Sequence, residues 1–377
     1  MIIIKPESAT IKLLQYLSVV GEFPLTVLDL LGSKRTYREL IRRYTLRQEM
    51  RFSRSGNNYV LRFLSLSNKG KYKTVRLYKP AIEVLQEIHP LAESYYMEAF
   101  AGHHFPGDLA HIDRNHRVAE CVATIQAAGV PYIPYQLPPL QKSRIAHVVS
   151  SDSSFYLAKN IKKLDDAEMN KTMFTRVSGM LFYPGGCYAV YNTRFSMMKW
   201  SGMGEYKARH HLMEIARMNA GIDTVDSAIL FGATTGIGLE TLKEQKKIQK
   251  AEMRFDRIYH HVHYLPMNQD GVQLLRLLVL EDWKERLMQA LFPPELRPAG
   301  IPNMEYDAKN GSTYLYVSID NDIARITRLR DGLATTDAPY EIICLPWQVD
   351  FVKSYLGDRV RLRTIPADTI WEAISDA

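Results

Sequence analysis

Two periods of apolar residues divide the first eighty positions. In ATIKLLQYLSVV, Ile11, Leu14 and Leu17 recur at helical spacing, and Gly21 and Pro24 stop the run. LTVLDLLG predicts a second short helix closed by Gly32. In SKRTYRELIRRY, Tyr37, Leu40, Ile41 and Tyr44 fall at i, i+3, i+4 and i+7, which makes one apolar face of a third helix. Thr36 and Glu39 have the S/T-x-x-E spacing of a capping box, which would tie off the free amides of its first turn. The period then changes to two. EMRFSRSGNNYVLRFLSLSNKGKYKTVRLY alternates, is broken at SGNN and SNKG, and predicts a two-stranded ribbon with a basic tip.

Further along, Val118, Val122 and Ile125 make 113–128 an amphipathic helix, and PYIPYQLPPLQ, with four prolines in eleven residues, reads as an extended connection between domains. From 174, two apolar strands meet across Pro184, Gly185 and Gly186. A helix ended by Gly221 follows, then the strand SAILFGA and the helix GIGLETLKEQKKIQK. Between 312 and 366, TYLYVSID, DIARITRLRDGL, YEIICLP, WQVDFVKSYLG and VRLRTIP alternate strand and helix, as in a mostly parallel sheet with helices on its faces. The expected class is α+β and α/β multidomain. Its parts are a three-helix and ribbon domain over 1–80, a helical connector over 81–140, an α/β domain over 141–300 and βα repeats over 301–377 that continue the same region.

A hydrophobic fraction of 46% against 24% charged residues excludes wholesale disorder in a 377-residue chain. No apolar run approaches the roughly 20 residues that cross a bilayer. MIIIKPESATIKLL lacks a basic lead-in, a long apolar stretch and a cleavage site, so a cytoplasmic protein without membrane partners is expected. Cys121, Cys187 and Cys344 are odd in number and far apart, which points to small buried residues rather than disulfides or structural zinc.

Charge changes the picture most. Net charge is +7, but residues 33 to 79 alone hold 14 Lys and Arg against Glu39 and Glu49, so the remainder sums to −5. One segment carrying all the excess is the footprint of a nucleic-acid-binding module. Three helices followed by a basic ribbon is the order of a winged helix-turn-helix domain, with the third helix shaped for a major groove. The residues expected at double-stranded DNA are Lys34, Arg35, Thr36, Tyr37, Arg38, Arg42 and Arg43 on that helix, and Arg51, Arg54, Lys69, Lys71 and Lys73 on or near the wing. A solvated helix and hairpin with incidental charge is the bland alternative; a winged helix that docks onto protein is the other.

Four further stretches carry candidate chemistry. In YHHVHYLP, His261 and His263 flank one apolar residue, and on a strand both imidazoles share a face, a geometry that suits a divalent ion. A nickase built there would also need a third ligand and a nucleophilic tyrosine, and the reading favours plain strand histidines. Glu205 and Lys207 spell E-x-K, but at a helix start rather than within a strand. GATTGIG lacks the Lys-Ser/Thr of a phosphate-binding loop and reads as a strand-to-helix turn. Asp320 and Asp322 follow a strand and could hold a metal, although Asp322 or Asn321 as helix N-cap is the simpler reading. His103, His104 and His111 read as linker or surface residues. No catalytic residue, metal or cofactor is assigned.

The three helices, the ribbon, LSNKGKYKTVRLYKPAIEVL and HIDRNHRVAECVATIQAAGV together resemble the replication-relaxation proteins of plasmids and integrative conjugative elements of Gram-positive bacteria. The resemblance spans about the first 200 residues. It implies a winged helix, a connecting helix and a restriction-endonuclease-like domain. The implied role is DNA handling for a mobile element in replication, transfer or regulation, with replication or transfer proteins or a second copy of the chain as partners. A metal-dependent nickase or endonuclease, on His261 and His263 or on Glu205 and Lys207, and a protein-interaction module are the alternatives.

Overall fold

The structure, a computed structural model, describes residues 2–5, 8–52, 56–68, 71–140, 152–162, 176–198, 202–245, 254–297 and 304–375. It is mixed α/β, with four sheets among those residues, and divides into Met1–Pro138 and Pro139–Ala377. The division falls inside the proline-rich stretch.

The first unit runs β1 (Ile2–Ile4), α1 (Ala9–Val20), β2 (Glu22–Pro24), α2 (Leu28–Leu31), α3 (Lys34–Tyr44), β3 (Gln48–Phe52), β4 (Asn58–Leu61), β5 (Leu64–Ser67), β6 (Thr74–Leu77), α4 (Ala81–Ile88), α5 (Pro90–Ala99) and α6 (Leu109–Ala128). Ser8 caps α1 by accepting from the Ile11 amide, and the Gly21 amide closes its far end on the Leu17 carbonyl at 2.8 Å. Leu13, Leu14 and Leu17 of α1, Tyr37, Ile41 and Tyr44 of α3, and Phe23, Phe63, Val75 and Leu77 make the core. The period-three-to-four pattern of the sequence thus faces inward as it must to keep apolar area from water. The α4–α6 region, which the sequence presents as a connector, packs into this unit. Tyr16 of α1 donates to the Ala119 carbonyl at 2.7 Å, and His116 of α6 bonds Thr74 at 2.9 Å.

The single ribbon expected after α3 is two hairpins on two sheets. β5 and β6 are antiparallel and join β2 in the order β2-β6-β5, whereas β3 and β4 pair with each other and β1 adds in parallel to β3. The chain leaves the core at Tyr44 and returns at Phe63, whose amide donates to the Tyr44 carbonyl at 3.0 Å while the two rings pack 5.6 Å apart. Residues 45–62 are an excursion with a closed base.

The second unit opens with β7 (Ser154–Leu157), α7 (Ala158–Ile161), β8 (Val177–Tyr183), β9 (Gly186–Asn192), α8 (Met203–Ala220), β10 (Ser227–Gly232), α9 (Thr235–Gln245), α10 (Phe255–Ile258) and β11 (His261–Pro266). Their sheet runs β11-β10-β9-β8-β7: an antiparallel meander, then two parallel additions. Every residue of β9 and β10 is buried, as expected when helices cover both faces. After α11 (Gln269–Leu278) and α12 (Trp283–Leu291) come β12 (Ala308–Asn310), β13 (Thr313–Val317), α13 (Ile323–Leu333), β14 (Tyr340–Cys344), α14 (Val349–Leu356), β15 (Val360–Thr364) and α15 (Ala367–Ser375). β13, β14 and β15 are the parallel sheet that the βα alternation predicts, with β12 antiparallel at its edge. Residues 320–322 lie along the outer edge of β11, where the Tyr264 amide donates to the Asn321 carbonyl at 3.0 Å and Asn321 Nδ2 to the Tyr264 carbonyl at 2.6 Å. All three cysteines are free and buried. Among the described residues no helix is long and apolar enough to cross a membrane.

Candidate nucleic-acid interface

The inner face of α3 is fixed by Tyr37, Ile41 and Tyr44, the last hydrogen-bonded to Thr10 at 2.7 Å. Tyr37, counted from sequence among the DNA contacts, is 5% exposed and belongs to this core; burial pushes its phenol pKa up. Lys34, Arg35, Thr36, Arg38, Arg42 and Arg43 are all exposed. The cap also differs from the expected box. Ser33, extended at φ −63° and ψ 107°, accepts from the Thr36 amide at 3.4 Å, so the helix begins at Lys34 and Thr36 is already inside it. Glu39 instead takes two bonds from Arg42, at 3.0 and 2.8 Å, and that contact holds its carboxyl pKa down.

Position along the helix separates these cations. Arg42 and Arg43 occupy the last turn, where the negative end of the helix dipole favours positive charge, so they have a use within the helix itself. Lys34 is paired with Asp29. Arg35 stands in the first turn, at the positive end, and Arg38 in the second, and no acidic residue occupies the first turn. Like Arg43, they make no salt bridge among the described residues, so nothing in the local electrostatics compensates them. A helix start with free amides and two uncompensated guanidinium groups is suited to an anion from outside.

Arg51 lies on β3 opposite Asn58 and is exposed, whereas Lys71 and Lys73 lie at the β5–β6 turn, also exposed. The two hairpins therefore divide the cations that the sequence assigned to one wing. Arg54 and Lys69 lie outside the described residues. Arg47, exposed just after α3, was missed in the sequence reading; membership of the same basic run is the signal that could have found it.

The histidine pair takes a different form from a metal centre. Both rings face one side, nearly parallel (13°) with centroids 6.1 Å apart, and each spends its Nδ1 on the 320–322 segment. His261 Nδ1 donates to the buried Asp322 carboxylate at 2.6 Å, and His263 Nδ1 to the Asp320 carbonyl at 3.0 Å. Burial lowers the His263 pKa, and burial raises that of Asp320; Asp322 is held low, with the His261 hydrogen bond overcoming its desolvation. Asp322 Oδ1 also accepts from the Val262, Ala324 and Arg325 amides, which makes it the N-cap of α13. The four residues join β11 to the other sheet. Among the described residues no group of three or more His, Cys, Asp or Glu could hold a metal.

Glu205 is buried against Arg176 at 3.0 Å on the first turn of α8, whereas Lys207 is exposed. Two residues apart on a helix they point away from one another. The strands β8 (VSGMLFY) and β9 (GCYAVYN) contain no Asp, Glu or Lys. In GATTGIG, a Cβ at Gly232 or Gly238 would come within 2.0 or 2.8 Å of Tyr264, whose hydroxyl bonds the Thr234 carbonyl. These glycines make room for a tyrosine rather than for a phosphate.

No protein-family model, curated protein or solved structure matches the chain.

Proposed function

We propose that the first unit is a winged helix that binds double-stranded DNA, and that the chain serves a plasmid or conjugative element in replication, transfer or regulation. The observation that carries the DNA reading is the placement of Arg35 in the first turn and Arg38 in the second turn of α3, both exposed and without a salt bridge among the described residues. The order β2-β6-β5 behind α1–α3, with Lys71 and Lys73 at the β5–β6 turn, supports the winged-helix reading. The mobile-element role rests on the resemblance to replication-relaxation proteins. That resemblance also implies an endonuclease-like second domain; β8 and β9 carry no acid or E-x-K, and the second unit is assigned self-association or partner binding, for which no enzyme activity is required.

Fluorescence anisotropy on duplex and single-stranded DNA over a salt series tests the reading. The intact chain is compared with one bearing Ala at Arg38, Arg42, Arg43, Lys71 and Lys73. Tight duplex binding that falls steeply with salt, and drops ~100-fold or more in the variant, is the expected result. Absent binding, or binding indifferent to the five changes, overturns it.

A further inference from the structure

A cleft of about 690 Å³ lies on the first unit, against the outward side of the β5–β6 hairpin. It is open to solvent and lined by Ser65, Leu66, Ser67 and Asn68 on the β5 side, by Arg76, Leu77, Tyr78 and Lys79 on the β6 side, and by His103 of the α5–α6 loop. Among the described residues no carboxylate lines it. Arg76 and Lys79 are the cations of the lining, and Arg62 places its guanidinium 4.2 Å over the Tyr78 ring.

Arg76 is held in position from behind. Its guanidinium lies 3.7 Å from the carboxylate of Glu22, which is 1% exposed, and 5.2 Å from the Phe105 ring. Glu22 in turn accepts from Asn115 of α6 at 2.9 Å. Fixing an arginine this way removes the ordering cost that binding would otherwise carry. The field inside the cleft is positive: after burial, Arg76 and Lys79 are what lower the pKa of His103. A guanidinium, an ammonium and hydroxyls on one surface, with the Glu22 carboxylate buried behind Arg76, match the oxygens of a phosphate.

We infer that this cleft is a binding site for a phosphate group, with Arg76 and Lys79 as its charged contacts and Ser65, Ser67 and Tyr78 as its hydroxyl partners. The group can come from a free nucleotide or from the backbone of bound DNA. Only the second source rests on the DNA-binding reading.

The test uses the full chain and its Lys79→Gln variant. Lys79 is exposed, so the change does not disturb the core. Lys12→Gln on α1, also exposed, controls for the general field of the unit. Calorimetric titration with inorganic phosphate and with a nucleoside monophosphate is run beside the duplex salt series. Saturable binding of either small anion, weakened ~10-fold by Lys79→Gln but not by Lys12→Gln, assigns the site to a free ligand. Silence of both small anions, with a duplex salt slope that falls by ~0.9 in Lys79→Gln alone, assigns it to backbone phosphate. If Lys79→Gln matches the unaltered chain in both measurements, the site is refuted. A chain that binds no duplex but does bind the nucleotide sinks the DNA grip and leaves this site standing.

Discussion

Asp322 satisfies three backbone amides and one imidazole from a position with no solvent access. Asp322→Ala leaves those donors unpaired inside the protein and is expected to cost ~3 kcal/mol or more of unfolding free energy, read from urea denaturation of the full chain. His263 gives a second prediction. Its folded pKa lies below the unfolded value near 6.5, so below about pH 6.5 the unfolded chain binds the extra proton and stability falls as pH drops. His263→Asn keeps a donor for the Asp320 carbonyl but cannot titrate. It should flatten the stability–pH slope between pH 7 and 5 by up to one proton's share, ~1.4 kcal/mol per pH unit. Asp320, with a raised folded pKa, works in the opposite sense from about pH 4 upward, and the unaltered slope is therefore shallower than a lone histidine would give. A slope unchanged in the variant rejects this account. Asp322 as a helix cap is legible in the sequence, because it directly precedes a helical run. Its bond to His261 is not, because 61 residues separate the pair and only the packing of α13 and the residues before it against β11 brings them together.

Among elements, α1 and α3 are legible to within a residue, since buried faces impose their period directly, whereas α6 begins at Leu109, four residues before the start that its apolar spacing gives. The hairpins are less so. Residues 48–77 alternate almost throughout, and the point where the chain rejoins the core, Phe63, is not a turn former; a pattern of period two does not reveal which sheet a strand enters. The closed base at Tyr44 and Phe63 leads to a third prediction. Replacing 47–61 by a short Gly-Ser turn should leave α1–α3 and the β2-β6-β5 sheet folded by circular dichroism. It should also lower the salt slope of duplex binding by up to ~2.7, the share of Arg47, Arg51 and Arg54. An unchanged slope would remove this hairpin from the DNA contact. In the second unit, Gly238→Ala drives a methyl group into the Tyr264 ring and is expected to destabilise by ~1–3 kcal/mol, measured by thermal unfolding.

At the scale of the molecule, the unit Met1–Pro138 holds 18 Lys and Arg against 12 Asp and Glu, which is +6 of the net +7. Fragment 1–138 alone should therefore bind duplex DNA with the salt slope of the intact chain, and fragment 139–377 should not bind; loss of binding by the first fragment would show that the grip needs both units. The position of the division was legible from four prolines in eleven residues. The role of the second unit was not, because its apolar strands describe only a core. By laying 320–322 along β11, the chain covers a row of strand amides and carbonyls that would otherwise be open to another molecule. Damage at this seam exposes a pairing template, so Asp322 variants are expected to be lost to aggregation in the cell before any binding defect can be seen.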